Sequence, residues 1–261
     1  MKVRKICFTL AVLMLASVFA AGCGQSAAEP AASPAAAEET PASPEPTVQA
    51  EEKELPTPPD IDIDSWEYLY AGVVCGVSRY EPEDVLNIEG QQLDGRVISA
   101  AQAFLDAARA EGYEVWISVG YRNFEYTSYW FEHAMVEYGS AYAASQADYV
   151  FPAGCSEHST GLAIDITDEP YFMANYNNLH DETVEETDVY KWMAEHCAEY
   201  GFIVRYPEGK EDYYVKACYP GHFRYVGVEA AEYIMENDLC FEEFLNLYPE
   251  KKLNITFGPE T

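Results

Sequence analysis

The sequence predicts an α+β domain in which a small antiparallel sheet is packed against helices. Three observations lead there. Amphipathic helical stretches and short β-rich runs interleave between residues 94 and 248 without a regular strand–helix–strand period. The chain has no glycine-rich phosphate loop of the kind that opens a doubly wound sheet. The composition changes near residue 60, where Trp, Tyr and Phe become frequent, and the remaining stretch of about 190 residues is long enough for one well-buried domain.

The elements follow in order. Residues 94–113, DGRVISAAQAFLDAARAEGY, place Val97, Ile98, Ala101, Phe104, Leu105 and Ala108 at helical spacing and stop near Gly112. VWISVG (115–120) is a β-rich run, followed by Tyr121, Arg122 and Asn123. EYTSYWFEHAMVEYG (125–139) is helical and closes on a glycine. LAIDIT (162–167) alternates, with Leu162, Ile164 and Ile166 on one face and Ala163, Asp165 and Thr167 on the other. A helix over 189–202 ends near Gly201. The strands IVRYP and HFRYVG (222–227), the helix GVEAAEYIMEN and a short helix in CFEEFLNLY complete the domain. The domain is expected to span 60–250, with 251–261 as a tail.

The first residues read differently. Lys2, Arg4 and Lys5 precede an apolar run from Ile6 to Ala21, too short for a membrane span and typical of an export signal. Ala20, Ala21 and Gly22 before Cys23 point to a lipoprotein signal over 1–22 with Cys23 as the lipidated residue; an ordinary secretory signal cut near Ala21 is the alternative. Residues 23–59, rich in Ala, Pro and Glu, lack the bulk to bury and are expected to be a disordered tether. These features predict an extracytoplasmic protein held at the cell membrane through its N-terminal lipid alone. With 15 basic against 45 acidic residues, net charge −30, neither nucleic acid nor an anionic lipid face is a plausible partner, and the domain is expected to be monomeric. Beyond Cys7 and Cys23, five cysteines remain and none forms a CxxC pair, which argues against a thiolate zinc site.

Chemistry concentrates in GCSEHSTGLAIDIT (154–167). The chain has five histidines. One of them, His158, stands seven residues before an aspartate set in an apolar run. A continuous helix would part the two by ~10 Å, whereas a turn at Gly161 into a strand lets His158 and Asp165 reach a common point. A catalytic zinc takes three protein ligands and keeps one position open. His133 and His196 fall in helices and His180 in a polar loop, where a histidine is ordinarily structural. His222, following Pro220-Gly221 and opening a strand, is the candidate third ligand.

The motifs around these residues resemble a known family. SEHSTGLAID, GYRNFEY, YGFIVRYPEGKE, GHFRYVG and CFEEFL keep the order and spacing of corresponding segments in the VanY-type D-alanyl-D-alanine carboxypeptidases, relatives of the VanX dipeptidases, over residues 70–247. The resemblance implies a zinc D,D-peptidase (Hedgehog/DD-peptidase-like) fold, with zinc bound by His158, Asp165 and His222. It implies that Arg122 steadies the substrate carbonyl and the oxyanion formed there, with Ser156 supporting substrate binding by orienting the ligand-bearing loop. Arg205 and Arg224 are left as either carboxylate contacts or fold supports. The implied substrate is the D-Ala-D-Ala end of a peptidoglycan stem peptide. One departure stands out: where the family places Glu-Pro-Trp before its last ligand, this chain has Tyr219, Pro220 and Gly221. The family glutamate is its general acid/base, and a phenol with a reference pKa near ~10 is a poor base at neutral pH. A hydrolytically weak zinc protein that binds wall peptide is therefore the alternative, unless Glu208, Glu211 or Asp212 takes over. Two ligands of one ion draw their flanking chains together, so Cys155 and Cys218 are expected to lie within disulfide reach.

Overall fold

The computed structural model describes residues 55–72, 77, 79–147, 150–168, 182–214, 221–251 and 253. A hairpin of β1 (Val85–Ile88) and β2 (Gln91–Asp94) comes first. Its two-residue turn, Glu89-Gly90, has both φ angles positive, at 50° and 88°, which suits the twist of the strands it joins. Then follow α1 (Ile98–Ala110), β3 (Val115–Val119), α2 (Phe124–Tyr138), α3 (Ala141–Gln146), β4 (Ala163–Asp168), α4 (Asp188–His196), β5 (Phe202–Val204), α5 (Glu211–Tyr214), β6 (His222–Tyr225), α6 (Val228–Glu236) and α7 (Phe241–Leu245). The four-stranded sheet runs β3-β4-β6-β5 with every pairing antiparallel, as an α+β fold requires.

Alternation along the strands sorts their side chains onto two faces. Leu162 just before β4, Ile164 and Ile166 of β4, Phe223 of β6, and Phe202 and Val204 of β5 are buried against Ala101, Phe104, Leu105 and Ala108 of α1 and against Val189 and Met193 of α4. Phe104 anchors this layer, stacking on Phe202 at 5.5 Å and meeting Phe223 edge-on at 5.7 Å. The in-between residues belong to the opposite face. There Ile203 joins a second core of Tyr68, Tyr70, Ala230, Ile234, Phe241 and Phe244, under α6 and α7.

Several sequence-based boundaries move. The helix expected over 94–113 occupies Ile98–Ala110, and the one expected over 189–202 stops at His196 and tightens into a 3-10 turn. IVRYP is a strand only as far as Val204, although Arg205 N still donates to the His222 carbonyl at 3.2 Å. The hairpin and α3 were not anticipated. Residues 55–59, grouped with the tether by composition, pack on the domain: Tyr233 Oη donates to the Pro56 carbonyl at 2.6 Å and Tyr248 Oη to that of Pro59 at 2.8 Å. Cys23 and the signal, the tether before residue 55, His180, Cys218 and Tyr219 lie outside the described residues. So does the expected Cys155–Cys218 pairing, of which only Cys155 is described.

Candidate metal centre

Strand register builds the centre. β4 and β6 pair antiparallel with Asp165 directly opposite His222, and both side chains stand on the face turned away from the α1/α4 core. His222 Nδ1 lies 2.7 Å from Asp165 Oδ1. The third group arrives from a 3-10 turn, Glu157–Thr160, that ends at Gly161 with φ +74°. This left-handed step reverses the chain into β4 and sets His158 Nε2 3.2 Å from the same carboxylate oxygen. A side chain at Gly161 is excluded both by this backbone conformation and by Asp94 N and Pro82 Cγ, each 3.0 Å from where a Cβ would stand. The position of His158 is secured again by Arg122 N, which donates to the His158 carbonyl at 3.0 Å.

The donor atoms of His158, Asp165 and His222 lie within 4.8 Å of one another, and the residues are 3, 6 and 2% exposed. Burial would by itself raise the pKa of Asp165, but His158 and then His222 outweigh it and hold the carboxyl well below the usual range. Burial pushes His158 down, against the pull of Asp165, so its imidazole is neutral and its nitrogen lone pair available. Neither ring nitrogen of His158 makes a hydrogen bond among the described residues. A buried nitrogen without a well-formed hydrogen bond is costly, and a cation held between the three groups would remove that cost at Nε2, the nitrogen that faces Asp165 at 3.2 Å. Two imidazoles and one carboxylate form the donor set of a borderline ion such as zinc with a position left open. Sequence reasoning and structure thus bring the same three residues together.

Arg122 follows β3 and is half-buried, with its guanidinium 5.5 Å from the centre of the Tyr126 ring and no carboxylate partner among the described residues. It stands where two clefts meet. One, of about 310 Å³, runs along α2 and has Ser156 on its wall. The other, of about 360 Å³, is polar and is lined by Gln91, Gln92, Ser118, Tyr121 and Asn123. The two glutamines come from the unanticipated hairpin. Their only sequence signal was the Glu-Gly turn beside them.

Arg205 and Arg224, left open by the sequence, support the fold. Both are fully buried. Arg205 grips Glu242 of α7 through two bonds of 2.9 and 2.7 Å, and its Nε lies 2.9 Å from Glu157. Arg224 Nη1 donates to Glu157 at 3.0 Å, and its Nη2 to the carbonyls of Glu67 and Leu69 at 2.9 and 2.7 Å. Tyr70 Oη donates to Glu242 at 3.1 Å. Glu157, the neighbour of a proposed ligand, is therefore a counter-ion for two guanidinium groups. Of the carboxylates considered as substitutes for the family glutamate, Glu208 and Asp212 are exposed, and Glu211 accepts from the Gly209 amide at 3.1 Å. His133 and His196 lie apart from the centre; His196 pairs with Glu199 at 2.7 Å.

Comparison with known proteins agrees with this geometry. The family model described as VanY, D-alanyl-D-alanine carboxypeptidase, matches residues 90–228. A D-alanyl-D-alanine carboxypeptidase of Enterococcus faecalis is 35% identical over 175 residues, covering 65% of this chain and 61% of that protein. The chain thus spans about three-fifths of that relative's length. Among solved structures, VanYB in complex with D-alanine-D-alanine superposes with a TM-score of 0.59 at 31% identity, over 70% of this chain and 98% of that one. A variant of the vancomycin-resistance D,D-pentapeptidase VanY in complex with Zn(II) gives 0.58 at 32% identity, over 70% and 100%.

Proposed function

This chain belongs to the VanY family of D-alanyl-D-alanine carboxypeptidases, and on that premise we propose that it is a zinc carboxypeptidase that removes the terminal D-Ala from peptidoglycan stem peptides. The observation that carries the reading is the cross-strand pairing of Asp165 with His222, closed by His158 from the Gly161 turn. These three side chains would hold the zinc. When bound, zinc acts as a Lewis acid toward the scissile carbonyl and acidifies water.

The other residues do the rest. Arg122 presents fixed donors where negative charge grows on the carbonyl oxygen, and a half-buried guanidinium with no competing carboxylate among the described residues is well suited to that. Ser156, two residues before His158, shapes the entrance that the substrate shares with Arg122. Asp165 is committed as a ligand and Glu157 to two arginines, so neither serves as proton carrier. That task falls to the segment carrying Tyr219, at the position of the family glutamate. The replacement of that glutamate by Tyr219 keeps a second reading in play, a zinc-loaded protein that binds D-Ala-D-Ala peptides and cleaves them slowly.

Incubating the zinc-loaded chain with a pentapeptide ending in D-Ala-D-Ala should release free D-Ala. His158→Ala and His222→Ala should lose both the metal, by elemental analysis, and the release. Full metal occupancy in both variants would place the site elsewhere. Tight binding without release would select the second reading. The leader sequence supports a lipid tether at Cys23 outside the membrane, and Cys23→Ser should move the protein from the membrane fraction to the soluble one.

A further inference from the structure

Among the described residues, six of the nine large apolar side chains that are exposed, Tyr126, Tyr129, Trp130, Val136, Tyr138 and Tyr142, lie on α2 or at the start of α3. The rings on α2 contact one another: Trp130 is 6.2 Å from Tyr126 and 5.6 Å from Tyr129, and Tyr129 is 4.1 Å from His133. An ordinary surface helix scatters such residues; here Tyr126, Trp130 and Tyr138 line the cleft that begins at Arg122, and Tyr129 packs beside Trp130. The far wall is Phe151, which stacks on Tyr206 at 6.4 Å, and Tyr206 in turn lies 5.1 Å from the His222 ring. Ser156 lies on the wall of the same cleft, so the groove ends beside the turn that carries His158.

We propose that this aromatic groove binds the amino-sugar strand from which the stem peptide hangs, so that the protein recognises its substrate as a glycan-linked peptide. The proposal rests on the carboxypeptidase reading above and adds a sugar subsite to it. The dimensions match. Four extended residues separate the scissile bond from the sugar, a reach of ~13 Å. Arg122 stands two residues before α2, and from Phe124 to Trp130 the helix climbs ~9 Å, within that reach. A peptide cut beside Arg122 thus delivers its sugar to Trp130, with Tyr138 ~12 Å further on for the next ring. The polar cleft on the other side of Arg122, with its glutamines, suits the departing zwitterionic amino acid. Chemistry selects the occupant as well. α2 carries Glu125, Glu132 and Glu137 and no lysine or arginine, so it repels an anionic polymer. A neutral sugar ring presents apolar C–H faces that flat aromatic rings cover, while its hydroxyl and acetamido groups stay in the solvent these half-exposed rings retain.

The test uses two uncleavable probes, a pentapeptide whose terminal amide is replaced by a phosphinate and the same peptide attached to its disaccharide, titrated into the zinc-loaded full chain. The disaccharide form should bind about tenfold more tightly, the effect of one well-packed aromatic contact. Trp130→Ala should bring it down to the level of the free peptide, and Trp130→Phe should restore most of the difference. Equal affinities of the two probes for the native chain would overturn the sugar site while leaving the carboxypeptidase reading intact. Failure of both probes to bind would overturn that reading, and the sugar site with it. A native dimer that dissociates on Trp130→Ala would assign the groove to a second copy of the chain and overturn the proposal.

Discussion

Asp165 is an ionised carboxylate at 6% exposure inside an apolar strand, a placement that is unfavourable without partners. Two imidazoles within 3.2 Å supply them. Glu157, 1% exposed and one residue before His158, has a different fate, because its partners are guanidinium groups with no lone pair to offer a metal. Burial alone would raise its pKa; Arg205 first, then Arg224, outweigh it and hold it below the ordinary 4.5. The unfolded chain therefore takes up this proton at a higher pH than the folded one. The stabilisation is complete above 4.5 and is lost as pH falls through the folded value. Glu157→Gln should cost about 3–5 kcal/mol at neutral pH, since it strands charge among buried arginines, and should flatten the loss of stability below pH ~4.5. Chemical denaturation from pH 3 to 7 reads both effects. Tyr219 poses the catalytic question at the same scale. Installing the family residue, Tyr219→Glu, should raise D-Ala release about 10²–10⁴-fold with zinc content unchanged. A native chain that already turns over fast, and is slowed by Glu208→Gln, Glu211→Gln or Asp212→Asn, would show that another carboxylate has taken the role.

At the scale of elements, the decisive piece is the entry to β6. Gly221 has φ +74°, and a Cβ there would stand 2.6 Å from the Ile166 carbonyl oxygen, the next residue along from Asp165. Ile166 N donates to the Gly221 carbonyl at 2.8 Å, so the two chains touch through backbone alone. This close approach delivers His222 opposite Asp165, and it explains why glycine stands where the family has tryptophan: no side chain fits while this contact persists. Gly221→Ala should cost about 1–3 kcal/mol in stability through strain. It should also weaken zinc binding by displacing His222, which a metal-competition titration would detect. The α2 N-terminus is set with similar economy, Asn123 Oδ1 accepting from Tyr126 N at 2.8 Å directly after Arg122.

Across the whole molecule, the sheet separates two cores. One lies under α1 and α4, and the other, under α6 and α7, shares its face of the sheet with the metal centre. Both cores are complete without an ion, and the Arg205–Glu242 bonds tie the C-terminal helix to the sheet independently. Removing zinc should therefore loosen the domain without unfolding it. At zinc concentrations near ~10³ times the dissociation constant, binding adds about 4 kcal/mol, so a chelator should lower Tm by roughly 10 °C for a domain of this size. Calorimetry that shows no change in Tm would mean the three groups hold no ion.

Much of this was legible in the residues. Period-two alternation in LAIDIT already turned Asp165 away from Leu162, Ile164 and Ile166, because a strand's side chains must alternate whatever the fold. The spacing of His158 from Asp165 around a glycine made a shared ligand site plausible, and the ordered motifs extended it to His222. The roles of Arg205, Arg224 and Glu157 were not legible, because a buried arginine reads the same in sequence as a substrate-binding one, and only Glu242, 37 residues beyond Arg205, settles the matter. Nor did composition place residues 55–59, whose proline carbonyls are held by tyrosines nearly two hundred residues later. Local pattern determined what each strand and helix would be and which face each residue would occupy, since those follow from backbone geometry. Which faces meet, and so which charges pair, depends on contacts between distant segments, and that only the tertiary structure decided.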